Sequence, residues 1–296
     1  MEKTLIVLVG PTGIGKTKAS IQIAQHFNTE IISSDSRQIF KELRIGTAVP
    51  AKHELELVKH HFIQTHSVQS NYNASKFEFD VLKLLSQLFV EKDIVVMAGG
   101  SMLYIDAVCK GIDDIPTVDA ETRDLLMLRL EEEGIESMRL QLKQLDPDYY
   151  SRVDLKNPKR ILHALEICLM TGKPYSSFLR KTTKKRPFKI IKTGLTCDRD
   201  ILYKRINMRV DKMIADGLIE EARSNYRYKN LNALNTVGYK ELFAYFEGAI
   251  DKRTAIEQIK KNTRNYARKQ ITWFKKDKEI KWFDFEDTEG LINYFR

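Results

Sequence analysis

The chain has 296 residues, 43% hydrophobic and 30% charged, with a net charge of +9 and a pI near 9.2. Length and composition exclude disordered and fibrous classes and allow a full core plus a second, smaller domain. No apolar run approaches the ~20 residues that span a bilayer, and the N-terminus enters a strand pattern directly, so a cytoplasmic protein with no membrane partner is expected. Cys109, Cys168 and Cys197 are far apart and without Cys-x-x-Cys spacing, which reads as incidental thiols.

The first predicted strand is the apolar run Leu5 to Val9. It leads into Gly10, Pro11, Thr12, Gly13, Ile14, Gly15, Lys16 and Thr17, which match the phosphate-cradling pattern G-x-x-x-x-G-K-[ST] found in many nucleotide-binding proteins. In such a loop the glycines turn backbone N–H groups onto phosphate oxygens, Lys16 supplies a point charge and the Thr17 hydroxyl can hold Mg²⁺ at a helix start. A Gly-rich turn without a ligand is the weaker alternative, since a helix-forming run, Lys18 to Phe27, follows directly.

A second strand run, Ile31 to Ser33, ends in Ser34, Asp35, Ser36, Arg37 and Gln38. In a parallel sheet that end can lie beside the phosphate loop, so Asp35 can serve as general base, hold Mg²⁺ through water, or merely cap the next helix. His60 and His61 are adjacent and have no metal-site spacing. A third strand run, Ile94 to Ala98, is followed by Gly99, Gly100 and Ser101 where an ATP-hydrolysing loop protein would place a magnesium-holding Asp. The glycines admit close approach of a substrate, or form a tight turn.

From about Ile115 to Pro187 the texture is charged and helical, with segments Glu121 to Glu133, Ile135 to Leu145 and Pro158 to Met170 punctuated by Asp119, Gly134, Pro147 and Gly172. Strand pattern returns at Ile190 to Thr196, helices follow from Arg199, and a last strand is expected near Lys281 to Phe285. Arg205 and Arg209 fall on one helical face, where guanidinium forks suit phosphate. The predicted fold is α/β, a P-loop-type parallel sheet flanked by helices, formed by residues 1–114 and 188–296, with a helical insertion domain at 115–187.

Charge is unevenly spread. Residues 113–154 carry 12 acidic against 5 basic residues, whereas 155–192 carry 11 basic residues and a single acid, Glu166. Residues 252–281 carry 11 basic and 3 acidic residues. Interleaved with Phe188, Tyr266, Trp273 and Phe274, the two basic stretches point to nucleic acid, the alternative being solvated lysine faces. Lys184, Lys185 and Arg186 would lie along an RNA backbone.

Jointly these clusters resemble one family, the tRNA dimethylallyltransferases, nearly end to end. The likeness rests on the phosphate loop, Ser34 to Phe40, Ile45 to Pro50, His60 to Ile63, Gly99 to Tyr104, Asn157 to Glu166, Val237 to Glu241 and Tyr266 to Phe274. Phe40, Gln64 and His163 depart from the common Tyr, Asp and Arg, and the C-terminal zinc finger frequent in eukaryotic members is not seen, as in bacterial forms. The resemblance implies transfer of a dimethylallyl group from dimethylallyl diphosphate to N6 of the adenosine 3′ of the tRNA anticodon. It implies Asp35 as general base, with Lys16 and Thr17 at the reacting diphosphate, Arg209 and the loop Gly10 to Thr17 holding the donor, and Mg²⁺ at Thr17. It further implies tRNA contacts at Asp35, Ser36, Arg37, Gln38, Ser101, Arg123, Lys159, Arg160, Ile161, Leu162 and His163, on the anticodon stem-loop, by a monomer. A metabolite kinase, a non-catalytic RNA-binding module and an adenylate isopentenyltransferase are the rival readings.

Overall fold

The computed structural model describes residues 2–116, 118–179 and 183–295. It divides into two compact units, one formed by the chain up to Cys109 and from Lys185 onward, the other by Lys110–Lys184.

The first unit is built on a six-stranded sheet in which every pair is parallel, β1 (Thr4–Val9), β2 (Ile31–Ser34), β3 (His60–His61), β4 (Ile94–Gly99), β5 (Lys189–Thr196) and β6 (Lys281–Asp284), ordered β3-β2-β4-β1-β5-β6. β1 is apolar along its whole length because helices cover both faces: Leu5, Val7 and Val9 enter one core cluster, Ile6 and Leu8 the other. Register places the carboxyl ends of three strands side by side, with Gly99 opposite both Val9 and Ser34. The loops leaving β1, β2 and β4 therefore open onto one crevice, as doubly wound sheets require. Around the sheet lie α1 (Lys16–His26), α2 (Lys52–Leu57), α3 (Ala74–Glu91), α4 (Met102–Lys110), and later α8 (Arg199–Ala215), α9 (Leu218–Ser224), α10 (Tyr239–Phe246), α11 (Lys252–Phe274) and α12 (Thr288–Asn293). The two-residue β3 lies in no apolar run, which is why sequence patterning passes over it. Among the described residues no helix is long and apolar enough to cross a membrane.

The second unit comprises α5 (Ala120–Leu145), α6 (Pro147–Tyr150) and α7 (Pro158–Thr171) around a core of its own that includes Leu126, Met138, Leu142 and Leu165. Gly134, at φ 76°, breaks α5 where the sequence predicts a boundary, and Gly172, at φ 66°, ends α7 in the left-handed conformation.

The unit ends before the expected Pro187, and Arg186 supplies the physical reason. Its guanidinium is only 7% exposed, ion-pairs with Glu78 at 2.6 Å and donates to the carbonyls of Ala107 and Val108 at 2.8 Å each. Arg186 is thus an internal tie of the sheet unit and not an arm laid along RNA. Lys184 is ion-paired with Asp114 at 2.8 Å, leaving Lys185 as the exposed member of the three. Truncating one partner of a buried, hydrogen-bonded pair costs about 3–5 kcal/mol, so Arg186→Gln should lower the denaturation free energy by that order. Lys185→Gln should leave it within about 0.5 kcal/mol, and urea unfolding of the two variants checks the contrast.

Candidate active site

The phosphate loop is shaped by glycines in the left-handed region. A side chain on Gly13 (φ 83°) would also press on Ile206, 3.1 Å from its Cγ1. Lys16 Nζ donates to the carbonyls of Gly10 and Pro11, both at 2.9 Å, folding the loop around its own ammonium. From α8, Arg205 donates to Gly13 O at 2.9 Å and so braces the loop from outside.

Two residues that sequence patterning does not single out complete the frame. Gln270 on α11 accepts from Thr12 N and donates to Gly100 O, each at 2.9 Å, clamping the phosphate loop to the β4 turn. It is 2% exposed and lies on the stripe Ile259, Ala267, Gln270, Phe274; a glutamine in an apolar helical stripe was the available signal. The second is Glu221 on α9, whose carboxylate accepts from the backbone N–H groups of Arg44, Ile45 and Gly46 at 2.8–2.9 Å and from Tyr239 Oη at 2.6 Å.

The glycines at the end of β4 are explained by protein packing. A Cβ on Gly99 would lie 2.4 Å from Ser34 O, and one on Gly100 2.3 Å from Gln270 Nε2. Neither glycine has positive φ, so it is the missing Cβ and not a left-handed backbone that these positions use. Ser101 follows, its hydroxyl accepting from Ser36 N at 2.8 Å, which ties this turn to the Asp35 segment.

Asp35 Oδ1 accepts from the N–H groups of Arg37 and Gln38 at 2.9 and 3.2 Å, so it caps a turn and not the helix that sequence patterning expects, since the next helix begins only at Lys52. The carboxylate also borders two cavities. One, of about 390 Å³, is lined by Thr12, Gly13, Gly15, Lys16 and Thr17 of the phosphate loop. The other, of about 430 Å³, is lined by Ser36, Arg37, Thr47, Ser101 and Lys269. Asp35, Thr12, Arg209 and Tyr266 line both.

Charge around this wall is predominantly positive and dehydrated. Burial, then the Arg209 guanidinium, push the Lys16 ammonium down to about 7, against the opposing pull of Asp35. Burial lowers Arg37 and Arg209 as well, each partly restored by Asp35. Buried cations facing a cavity call for an anion. Among the described residues no group of three or more His, Cys, Asp or Glu side chains is placed to hold a metal.

Ser36, Arg37 and Ser101 line the second cavity, whereas Gln38 lines the first and donates its amide to the carbonyls of Thr47 and Ala48 at 3.1 and 3.0 Å. In the helical unit Lys159 and Arg160 are exposed, and Arg123 is half exposed while paired with Glu166 at 2.9 Å. His163 meets the same carboxylate at 3.2 Å. Ile161 and Leu162, 0% and 7% exposed, belong to that unit's core, which corrects their expected place on an RNA surface. Phe274 is likewise core, while Tyr266 and Trp273 remain over a third exposed.

Because Glu221 anchors the 44–46 segment whose Gly46 lines the second cavity, Glu221→Gln should act on that cavity alone. We expect the KM for an RNA acceptor to rise about tenfold, with diphosphate affinity changed less than about twofold, in steady-state kinetics and calorimetry.

A parallel sheet whose first loop has the phosphate-cradling pattern and folds around the Lys16 ammonium at a helix N-terminus, beside a carboxylate that borders a second cavity, is the frame of a P-loop-type group-transfer enzyme. Residues 38–277 match the family model described as IPP transferase. A tRNA dimethylallyltransferase of Bacteroides fragilis is 56% identical over 294 residues, covering 99% of this chain and 98% of the relative. One from Christiangramia forsetii is 55% identical over 295 residues, covering 99% and 98%. Among solved structures, the full-length tRNA isopentenylpyrophosphate transferase of Bacillus halodurans superposes with a TM-score of 0.73 at 31% identity, covering 99% of this chain and 96% of that one. A eukaryotic dimethylallyltransferase acting on tRNA gives a TM-score of 0.78 at 26% identity, covering 97% and 75%. The chain belongs to the tRNA dimethylallyltransferase family.

Proposed function

We propose that the chain transfers a dimethylallyl group from dimethylallyl diphosphate to N6 of the adenosine adjacent to the 3′ side of the tRNA anticodon, releasing diphosphate. The observation that carries this reading is the pair of cavities meeting at Asp35, one built for diphosphate and one able to receive a base turned out of an RNA loop. In the reaction the N6–C1 bond forms as the C1–O bond breaks, and the bonding pair leaves on diphosphate. Asp35 takes the N6 proton, while Lys16, Arg209 and the loop amides neutralise the departing charge.

Mg²⁺ suits the site as a partner of the ligand. Thr17 would offer one hydroxyl beside the diphosphate oxygens, in keeping with an ion that is held by few protein groups together with substrate phosphates and water. When bound it adds charge neutralisation at the leaving group. Lys159, Arg160 and Lys185, exposed and basic, are assigned to tRNA phosphate contacts, with Tyr266 and Trp273 available for stacking. A monomer is sufficient for this scheme, since one chain lines both cavities.

The direct test is incubation of unmodified tRNA with protein, Mg²⁺ and dimethylallyl diphosphate, followed by nucleoside mass analysis. One dimethylallyl addition per anticodon loop is expected; ATP turnover without prenyl donor would instead indicate a kinase.

A further inference from the structure

Gln270 serves one donor and one acceptor at once. Its Oε1 accepts from Thr12 N in the phosphate loop and its Nε2 donates to Gly100 O, each at 2.9 Å. A primary amide offers both groups on one carbon, whereas a methionine of similar length offers neither in comparable strength.

The hydrogen bonds do not end at Gly100. The Gly100–Ser101 peptide, gripped by Gln270 at its carbonyl, donates from its other edge through Ser101 N to Ser34 O at 3.1 Å. A trans peptide carries these two groups on opposite edges of one plane, so holding both fixes the plane. Ser101 Oγ then accepts from Ser36 N at 2.8 Å and donates to Ser36 Oγ at 3.1 Å. Ser36 adjoins Asp35, whose Oδ1 is held by the next two N–H groups. An unbroken series of hydrogen bonds thus joins the loop after β1, the turn after β4 and the turn after β2. Gln270 is the link that comes from outside the sheet. It stands one helical turn beyond Tyr266, which lines both cavities, so the helix that walls the site also bears the clamp.

We propose that Gln270 is a positioning residue for the transfer step: by fixing the phosphate loop against the β4 turn, it sets the Asp35 carboxylate in register with a donor held on that loop. This rests on the reading of the two cavities as donor and acceptor sites and of Asp35 as the base. Gln270 touches neither reacting atom. A misplacement of about 1 Å in such a site costs on the order of a hundredfold in rate, so a side chain outside the chemistry has ample leverage.

A double-mutant cycle on the single-turnover transfer rate tests this, with dimethylallyl diphosphate and an anticodon stem-loop RNA both saturating. Gln270→Met should lower the rate by about tenfold or more. In an Asp35→Asn background the same substitution should cost less than about threefold, because no base is left to misalign. Ser101→Ala, which releases Ser36 N at the far end of the series while leaving Gln270 in place, should show the same dependence on Asp35. A loss of equal size in both backgrounds overturns the proposal, since a merely structural role is indifferent to the base. A wild-type rate in Gln270→Met overturns it as well. Should Gln270→Met fail to fold, Ser101→Ala decides by the same comparison. Wild-type protein that transfers no prenyl group would instead remove the donor and acceptor reading beneath the proposal.

Discussion

Asp35→Asn should lower the single-turnover rate of prenyl transfer by about a hundredfold or more, while leaving diphosphate and tRNA binding within about threefold of wild type, the scale expected for loss of a general base. The substitution separates the two jobs of Asp35. An asparagine carbonyl can still accept from the N–H groups of Arg37 and Gln38, so the turn that Asp35 caps is preserved. Only the capacity to take a proton at the junction of the two cavities is lost. Single-turnover rates near wild type would reduce Asp35 to a turn cap and move the base elsewhere.

Lys16→Ala should abolish protection of the protein by diphosphate. In the wild type, diphosphate at about a hundred times its Kd should add about 2.7 kcal/mol to the unfolding free energy, and it should protect at least as well as ATP. The alanine variant should show no such shift in thermal melts and should lose about 10²-fold or more in kcat/KM for the donor, the scale of one electrostatic contact to a leaving group. The ammonium also makes binding pH-dependent. It is held at about 7 in the free protein, chiefly by burial and then by Arg209. A bound anion favours the charged form and raises that value, so above pH 7 binding takes up a proton and affinity falls as pH rises. Below pH 7 the group is already charged and this dependence disappears. Calorimetry of the wild type in buffers of different ionisation enthalpy should show uptake by this group approaching one proton near pH 8 and fading below about pH 6.

Much of this site is legible in the sequence because it is local. The phosphate loop is a contiguous pattern with its strand before and its helix after, and Asp35 and Gly99 follow strand ends that a parallel sheet must gather at one edge. What resists reading is decided by burial. Arg186 carries the same charge as Lys185, yet one is sealed against Glu78 and the other stands in solvent. Ile161 and Leu162 sit beside exposed Lys159 and Arg160, and the helical turn sends the two pairs to opposite environments. Gly99 and Gly100 invite a reading in terms of ligand approach, whereas Ser34 and Gln270 occupy the space a Cβ would need. Gln270 and Glu221 act on segments far from them in the chain, 258 residues away for Thr12 and 176 for Ile45, and no periodicity encodes such partners.

Since the wall shared by the two cavities is made of Asp35, Thr12, Arg209 and Tyr266, the proposed donor and acceptor would meet the same few groups from opposite sides. The arrangement favours a sequential bisubstrate mechanism, because the alkyl group passes directly between two ligands held at once and needs no covalent carrier on the protein. It also gives hydrolysis a structural remedy. An allylic diphosphate left facing open water can be lost to solvent; in the proposed scheme an adenine filling the second cavity would both deliver the nucleophile and expel its competitor.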